Sequence, residues 1–444
     1  MTTAPGLIIA ATASGSGKTL LTLGLLAHLR GLGLRVGSAK VGPDYIDPAF
    51  HAAATGRPCL NLDSWAMGES SLAGLAARLA EGADLVVCEG VMGLFDGAEA
   101  AAGERDGSTA EIAALTGWPV VLVIDARRMA DSAAAVLAGF ARLRPAVTVA
   151  GVVFNQVSSE RHRRLIAAAC ARHCPEVAVL GFLPRLEGLS VPSRHLGLVQ
   201  ACEHPDLAAF FAAAAQAVAE HVRVECLRAL ARPSRLRGPA TCPLPPLGGR
   251  IAVARDPAFA FAYEAVLEGW RHAGAELTLF SPLADQPPDG DSLYLPGGYP
   301  ELHAGRLAAN GCFLDGVRRQ AGRGGAIFGE CGGYMVLGES LRDGDGRDHA
   351  MAGLLPLSTS FADRRLHLGY RRVALLADGP LGPAGQRFAG HEFHFATIVR
   401  EGPGEALFVA SDAGGRALPP CGLRRGSVCA SFIHLIDGEA ASVP

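Results

Sequence analysis

The sequence predicts an α/β protein in which a doubly wound, parallel-sheet domain is followed by a second α/β domain. Three observations support this fold class. Short apolar runs alternate with segments of helical periodicity up to about residue 223, a Pro-, Arg- and Gly-rich stretch covers 224–249, and a new α/β pattern opens at 250. Apolar strands separated by helices are typical of a parallel sheet that helices cover on both faces. We therefore expect domains at 1–223 and 250–444, joined by a linker at 224–249.

The predicted elements follow one another in the order that such a sheet requires. In the first domain we expect strands at 7–11, 36–41, 84–90, 119–125, 149–155 and 177–183, and helices at 17–31, 108–116, 130–142, 160–174 and 204–221. In the second domain the pattern predicts strands at 250–256, 276–280, 292–298 and from 325, with helices at 261–273 and 304–321. Beyond residue 350, short runs punctuated by Gly and Pro predict antiparallel hairpins.

The composition excludes several classes of protein. The chain has 444 residues, 49% apolar and 19% charged, which allows two or three packed domains and excludes global disorder. A formal charge of −3 without basic clusters argues against a nucleic-acid partner. No apolar run reaches membrane-spanning length and the N-terminus lacks a signal-peptide pattern, so we expect a cytoplasmic protein without a membrane partner. Eleven cysteines, an odd number, exclude a complete disulfide framework.

A Gly- and Ser-rich turn between a strand and a helix indicates a phosphate-binding loop. Residues 7–19 read LIIAATASGSGKT. Small residues let backbone N–H groups approach phosphate oxygens, the helix N-terminus adds positive potential, and Lys18 can reach the β- and γ-phosphates. The usual pattern starts with Gly where this chain has Thr12. The residues predicted to bind ATP here are Ser14, Gly15, Ser16, Gly17, Lys18 and Thr19.

Polar residues after other predicted strands complete this site, because the carboxyl ends of parallel strands are where such sheets bind ligands. Lys18 and Lys40 are the only lysines among 40 basic residues, which indicates positions that need a compact ammonium. We expect Lys40 to neutralise a transferring phosphate or an anionic substrate, and Glu89 or Asp47 to hold Mg²⁺ together with Thr19. The remaining candidates are Asn155, expected to hydrogen-bond an adenine or to stabilise its turn, and Asp44, Tyr45 and Asp96 in the neighbouring loops.

The second domain carries the pattern of a nucleophile elbow built on cysteine. The strand in GAIFGECGGYM enters Gly-x-Cys-x-Gly and leaves as a helix, which exposes Cys331 on a strained turn. The helix N-terminus is expected to lower the pKa of this thiol. His434 is expected to act as its base, with His391 and His394 as competitors. The expected oxyanion donors are the backbone amides of Gly297, Gly298 and Gly332.

Seven motifs together resemble one family. ASGSGKT, KVGPDYIDP, CEGVMGLFDG, PGGYPE, GECGGYM, GHEFHF and SFIHL occur in the order found in the cobyrinic and hydrogenobyrinic acid a,c-diamide synthases, from about residue 5 to 436. The resemblance implies a dethiobiotin-synthetase-like domain that binds ATP and a corrin, followed by a class I glutamine amidotransferase domain. It implies that Cys331 is the glutaminase nucleophile and His434 its activating partner. By the same resemblance Thr19, Asp47 and Glu89 form the metal site, and Asp44, Tyr45 and Asp96 lie near the substrate.

The chain departs from most class I amidotransferases at one position. Those enzymes carry Glu two residues after the histidine, whereas this chain has Ile436 there and Asp437 next. The absence of that Glu is a feature of this branch of the family. The residue that orients His434 is therefore unassigned by the sequence.

The resemblance implies two coupled reactions. ATP phosphorylates a peripheral carboxylate of cobyrinic or hydrogenobyrinic acid, while Cys331 attacks the side-chain amide of glutamine and releases ammonia, which displaces phosphate from the acyl phosphate. The c acetate and then the a acetate would be amidated, with Mg²⁺ as the cofactor of ATP. The alternatives are another corrinoid amidotransferase such as cobyric acid synthase, a partitioning ATPase of the deviant P-loop type, and a free-standing hydrolase built on the elbow. Assembly, for example as a homodimer, is left open.

Overall fold

The computed structural model describes residues 4–100, 104–186, 189, 193–194, 197–239 and 241–439. The chain forms two compact units. The first holds Met1–Trp65, Glu69–Ala98 and Glu104–Ala240, and the second holds Thr241–Pro444 together with Ala66–Gly68 and Glu99–Gly103. No helix in the described ranges is long and apolar enough to cross a membrane.

The first unit is a parallel sheet with helices between its strands. The strands are β1 (Pro5–Ala11), β2 (Val36–Val41), β3 (Cys59–Leu62), β4 (Leu85–Glu89), β5 (Val120–Asp125), β6 (Val149–Asn155), β7 (Ala178–Phe182), β8 (Ser193–Arg194), β9 (Gly197–Leu198) and β10 (Arg232–Pro233). The helices are α1 (Lys18–Gly31), α2 (Ile46–Thr55), α3 (Glu69–Ala80), α4 (Thr109–Thr116), α5 (Ser132–Arg142), α6 (Glu160–His173), α7 (Leu207–His221) and α8 (Val224–Leu230). The strand order β3-β2-β4-β1-β5-β6-β7, with every neighbouring pair parallel, confirms the predicted doubly wound sheet.

Residues of the predicted linker contribute to this first unit. β10 pairs antiparallel with the start of β1, and Val224 and Leu227 of α8 are buried in the unit's core. The unit therefore extends to Ala240, beyond the boundary expected at 223. Helix α8 is not predictable from the sequence, because two buried apolar positions three residues apart are too few to establish a helical period in an Arg- and Pro-rich stretch.

The second unit combines a mixed sheet with a smaller one. Its strands are β11 (Arg250–Ala254), β12 (Glu276–Phe280), β13 (Ser292–Leu295), β14 (Ala326–Glu330), β15 (Ser340–Arg342), β16 (Asp348–Ala350), β17 (Leu357–Ser360), β18 (His367–Leu375), β19 (Arg387–His394), β20 (Thr397–Glu401), β21 (Glu405–Asp412), β22 (Ala417–Arg425), β23 (Val428–Ser431) and β24 (Ile433–Gly438). Its helices are α9 (Glu264–His272), α10 (Ala304–Ala309), α11 (Gly311–Gly322) and α12 (Gly332–Leu337).

The larger sheet has the order β12-β11-β13-β14-β23-β22-β21-β18-β19-β24. Its first half, β12 to β23, is parallel, and from β23 to β24 every neighbouring pair is antiparallel. The change to antiparallel pairing agrees with the hairpins expected beyond residue 350. β23, from a distant part of the chain, pairs in parallel with β14, whose carboxyl end carries the nucleophile elbow.

Candidate active sites in the two units

The phosphate loop has a strand, a turn and a helix in the predicted order. β1 leads into the turn 12–17, and α1 begins at Lys18. Gly17 takes a left-handed conformation with φ of +95°, and a Cβ on it would overlap the Nδ2 atom of Asn155. Glycine meets both demands because it lacks a Cβ. Of the other predicted loop residues, Ser14 and Gly15 are exposed and Ser16 is buried.

Asn155 holds this loop from the end of β6. Its Nδ2 donates a hydrogen bond of 3.0 Å to the carbonyl of Ser16, and its Oδ1 accepts the amide hydrogen of Gln156. The side chain is 7% exposed. These contacts correspond to the turn-stabilising alternative, and they act both on the phosphate loop and on the turn of Asn155 itself. The adenine contact stays a prediction.

A buried cluster of charges lies at the carboxyl ends of β2 and β4. Lys40 Nζ is 2.5 Å from Asp47 Oδ2 and 3.0 Å from Glu89 Oε1. Thr19 donates its hydroxyl hydrogen to the same Glu89 oxygen over 2.6 Å, and Lys18 Nζ lies 3.9 Å from that oxygen. The two lysines and the two acids are each less than 10% exposed. The structure thus brings the predicted phosphate-binding and metal-binding residues together.

Burial and neighbouring charges set the protonation of this cluster. Burial raises the pKa of Asp47 to about 7. Burial also acts to raise the pKa of Glu89, but Lys40 and His51 outweigh it and hold that pKa well below its usual value. For Lys40 burial acts to lower the pKa, while Glu89 and Asp47 raise it above the ordinary value. Lys40 and Glu89 are therefore charged at neutral pH, and Asp47 releases its proton less readily than an exposed aspartic acid.

The three residues expected near the substrate lie in loops after β2 and β4. Asp44 Oδ1 accepts two backbone amide hydrogens at the start of α2, over 2.7 and 3.2 Å. Tyr45, which is partly buried, precedes α2 as its N-cap. Asp96 Oδ2 accepts the amide hydrogen of Gly93 over 2.9 Å. The two acids therefore order their own loops, as expected of the alternative interpretation in which each is a loop or helix-cap residue.

His51 belongs to this site and was missed by the sequence reasoning. Its Nε2 lies 2.8 Å from Glu89 Oε2, its Nδ1 lies 3.5 Å from Cys59 Sγ, and it is fully buried. Burial acts to lower its pKa, but Cys59 and Glu89 raise that pKa to about 10. His51 therefore fixes the Glu89 oxygen that does not face Thr19. The available signal was its spacing of four residues from Asp47, which places both on one face of α2.

The second unit places Cys331 at a sharp turn between β14 and α12. Its φ of +48° and ψ of −101° lie outside the regions that non-glycine residues favour. Its amide donates to the carbonyl of Ser431 over 2.8 Å, and its Sγ donates to the carbonyl of Phe393 over 3.7 Å. A strained turn between a strand and a helix is the geometry of a nucleophile elbow.

The amides of Gly298 and Gly332 converge on the thiol. Hydrogen bonds from both backbone groups favour the thiolate of Cys331 and act to lower its pKa. A Cβ on Gly332 would lie only 3.1 Å from the amide nitrogen of Gly298, so the two donors are close enough to share one oxygen. This arrangement is what an oxyanion hole requires.

His434 on β24 faces the same turn across Gly297. A Cβ on Gly297 would overlap His434 Cε1, lie 3.0 Å from its Nε2, and lie 3.2 Å from Cys331 Cβ. The absence of a side chain at Gly297 therefore leaves the space between the thiol and the imidazole open. His434 is fully buried, and burial, with His391 and His394 nearby, lowers its pKa to about 3. It is thus a neutral imidazole that can accept a proton.

The expectation that the thiol pKa is lowered is wrong. Burial raises the pKa of Cys331 well above its usual value, and the carboxylates of Glu301 and Glu330 act in the same direction. The amide donors act oppositely but do not outweigh the loss of water, and α12 is only six residues long. Cys331 is therefore a thiol at rest, and a base must take its proton as it attacks.

Of the two competing histidines in GHEFHF, His394 has both ring nitrogens in contact with other groups. His394 Nδ1 lies 3.0 Å from the carbonyl of Ala396, and its Nε2 lies 3.0 Å from Glu392 Oε1. His367, Glu392 and His394 have potential ligand atoms within 4.8 Å of one another. Arg371, however, is bound to Glu392 Oε2 over 2.8 Å, so this group is organised as an ion-pair network. His391 pairs in register with His434 on the neighbouring strand.

Comparisons with known proteins agree with the two-site geometry. Residues 7–199 match the CobQ/CobB/MinD/ParA nucleotide binding domain, and residues 250–441 match the CobB/CobQ-like glutamine amidotransferase domain. The hydrogenobyrinate a,c-diamide synthase of Brucella anthropi is 51% identical over 443 residues, which cover 98% of this chain and 100% of the relative. The protein of that name from Rhodobacter capsulatus is 54% identical over 435 residues, covering 98% of this chain and 99% of the relative.

A further relative of the same name, from Rhizobium meliloti, is 51% identical over 438 residues, which cover 97% of this chain and 99% of the relative. The similarity therefore extends through both units and includes the phosphate loop and the elbow. On this similarity, the chain belongs to the hydrogenobyrinate a,c-diamide synthase family.

Proposed function

We propose that this chain is an ATP-dependent, glutamine-hydrolysing amide ligase that amidates the a and c acetate carboxylates of hydrogenobyrinic acid in cobalamin biosynthesis. The observation that carries the proposal is the presence, in one chain, of a phosphate loop beside a buried Lys40–Glu89 ion pair and of a Cys331 elbow facing His434. Identity of about half over almost the whole chain supports the same substrate as in the relatives.

In the first unit, the loop 12–17 and Lys18 would bind the triphosphate, because backbone amides and an ammonium converge at the N-terminus of α1. Thr19, Asp47 and Glu89 supply a hydroxyl and two carboxylates, the hard oxygen donors that Mg²⁺ prefers. When bound, Mg²⁺ would reduce repulsion between the phosphates and the corrin carboxylate. Lys40 already contacts both acids, so it would remain next to the γ-phosphate. Phosphoryl transfer would turn the acetate into an acyl phosphate.

In the second unit, Cys331 would attack the side-chain carbonyl carbon of glutamine while its proton moves to His434. The amides of Gly298 and Gly332 would stabilise the oxyanion, and His434 would return the proton to the departing ammonia. The glutamyl thioester would then be hydrolysed by water. Ammonia would replace phosphate on the corrin, at the c acetate first and then at the a acetate.

The experiment is mass spectrometry of hydrogenobyrinic acid after incubation with the protein, glutamine, ATP and Mg²⁺. Two amidations support the proposal, and no amidation of this substrate would refute it. Four amidations would indicate the cobyric acid synthase reaction instead. Cobyrinic acid, assayed in parallel, tests whether the substrate must be free of cobalt.

Replacing Cys331 with Ser should abolish glutamine-dependent amidation but preserve amidation by added ammonium salts. Cys312→Ser is the matched control, because Cys312 is an exposed cysteine of the same unit, on α11. Loss of both activities in a Cys331→Ser variant that still binds ATP would contradict the division of labour between the units. The cytoplasmic location stays a prediction, which cell fractionation would test, and assembly, for example as a homodimer, stays open to light scattering.

A further inference from the structure

The imidazole of a Cys–His pair usually depends on a third group that holds its orientation. In this chain the position two residues after His434 is Ile436, which is 1% exposed. Ile436 also lies at an irregularity of β24, between the pairs Leu435–Gly390 and Asp437–Ala389. An orienting carboxylate must therefore come from another element.

Glu330, the residue before the nucleophile, is fixed next to His434. It is 1% exposed, and its Oε1 accepts the amide hydrogen of Leu435 over 2.8 Å. Its Oε2 accepts the hydroxyl hydrogen of Tyr294 over 2.5 Å and lies 3.9 Å from His434 Nδ1. We propose that Glu330 is the positioning residue of the Cys331–His434 pair. This inference rests on the proposed glutaminase role of the second unit.

The geometry suits both parts of such a role. The bond to Leu435 ties the backbone next to His434 to the strand that carries Cys331. Because Glu330 lies on the Nδ1 side of the ring, Nε2 is left for the thiol across Gly297. When Cys331 loses its proton to Nε2, the imidazolium is formed beside the carboxylate of Glu330, in buried surroundings where an opposite charge has a strong effect.

The proton balance needs no further group. The thiol proton moves to Nε2, the Sγ–C bond forms and the C–N bond of glutamine breaks, and the proton leaves with ammonia. Glu330 neither gains nor loses a proton in this sequence. Burial raises the pKa of Glu330 to about 8, so the sequence runs in molecules whose Glu330 is already ionised, a fraction that grows as pH increases towards that value. The other titratable groups around the pair are Tyr263, Tyr294, Glu301, His391, Glu392 and His394.

The test compares Glu330→Gln with Asp437→Asn in the full-length protein. Asp437 is the nearest acid after His434 in the chain and is the rival candidate. Two quantities are measured: glutamate release from glutamine, and the rate at which iodoacetamide alkylates Cys331 between pH 5 and 10, followed on the Cys331 peptide by mass spectrometry. Neither needs a corrin, so failure of the proposed substrate leaves the test intact.

We expect Glu330→Gln to lower kcat for glutamine hydrolysis about a hundredfold with KM unchanged. Replacing a group that orients a functional histidine typically lowers activity by ~10–100-fold. The pH midpoint of Cys331 alkylation should move upward, because the thiol passes its proton to His434 less readily when the imidazolium that results has no counter-charge beside it. Glu330→Asp should retain the wild-type midpoint, which serves as the decisive measurement if the Gln variant does not fold. Any of three outcomes would overturn the proposal. The first is a wild-type kcat and alkylation midpoint in Glu330→Gln, and the second is an alkylation midpoint shifted upward in Glu330→Asp. The third is a decrease in kcat that appears in Asp437→Asn instead of Glu330→Gln.

Discussion

Replacing Lys40 with Met should destabilise the first unit strongly. Met has a similar length but no charge, so Asp47 and Glu89 would lose the ammonium that lies 2.5 and 3.0 Å from them. Removing one partner from a buried ion pair costs ~3–5 kcal/mol, because the remaining charge stays buried without compensation. The two pairs share one ammonium, and Lys18 lies 3.9 Å from Glu89, so we expect the lower end, about 3 kcal/mol.

For a unit of this size, 1 kcal/mol corresponds to about 2–4 °C in Tm, so the Tm of the first unit should decrease by roughly 6–12 °C. The decrease in Tm caused by Lys40→Met should grow from pH 6 to pH 9. The pKa of Asp47 in the folded unit is already raised to about 7 and rises further without Lys40. A buried acid whose pKa is raised by folding makes the folded unit less stable as pH increases through that pKa. Differential scanning calorimetry at several pH values measures both effects.

Adding Mg²⁺ and ATP should reduce the difference in Tm between the wild type and Lys40→Met, because a divalent cation on the carboxylates of Asp47 and Glu89 would replace the lost positive charge. Arg142→Met is the control, since its pair with Glu176 is exposed and 3.9 Å long, and a surface pair of this kind contributes ~0–1 kcal/mol. A decrease in Tm below about 2 °C in Lys40→Met, equivalent to no more than ~1 kcal/mol, would refute the reasoning.

Three further predictions follow from the site geometry. Gly17→Ala would place a Cβ on Asn155 at a φ of +95°, so the KM for ATP should rise at least about tenfold, measured in the ammonia-dependent reaction. Gly297→Ala would place a Cβ against His434, so glutamate release should fall by about 10²-fold or more while ammonia-dependent amidation is preserved. The pKa of buried His434 is lowered to about 3, so between pH 3 and 6.5 the unfolded chain binds a proton at this residue that the folded chain does not. The Tm of the second unit should therefore increase with pH across that window. The increase should be less steep in His434→Gln.

Contiguous motifs made the fold and the centres of both sites predictable. The phosphate loop and the elbow are each a strand, a turn and a helix within about a dozen residues, so their local geometry depends little on the rest of the chain. The choice of His434 over His394 came from the family resemblance, and the structure adds a reason, since His394 is held between Ala396 and Glu392.

Contacts between distant parts of the chain were not predictable. His51 reaches Glu89 over 38 residues of sequence, and Glu330 reaches Leu435 over 105. Neither His51 nor Glu330 lies in a sequence pattern that indicates its hydrogen-bond partner, because hydrogen bonds of this kind depend on which strands become neighbours. The raised pKa of Cys331 was missed for a similar reason: the sequence reveals the helix that follows the thiol but not how completely the thiol is buried.

The pairing of β14 with β23 determines when the glutaminase site can form during synthesis. The amide of Cys331 is anchored to the carbonyl of Ser431 at the end of β23, and His434 follows three residues later, on β24. A ribosome adds ~5–20 residues per second, so the proposed base is translated about 5–20 s after the proposed nucleophile. Until β23 and β24 have left the exit tunnel, the nascent chain carries Cys331 without His434 beside it. The proposed glutaminase reaction would therefore have to wait until synthesis of the chain is almost finished.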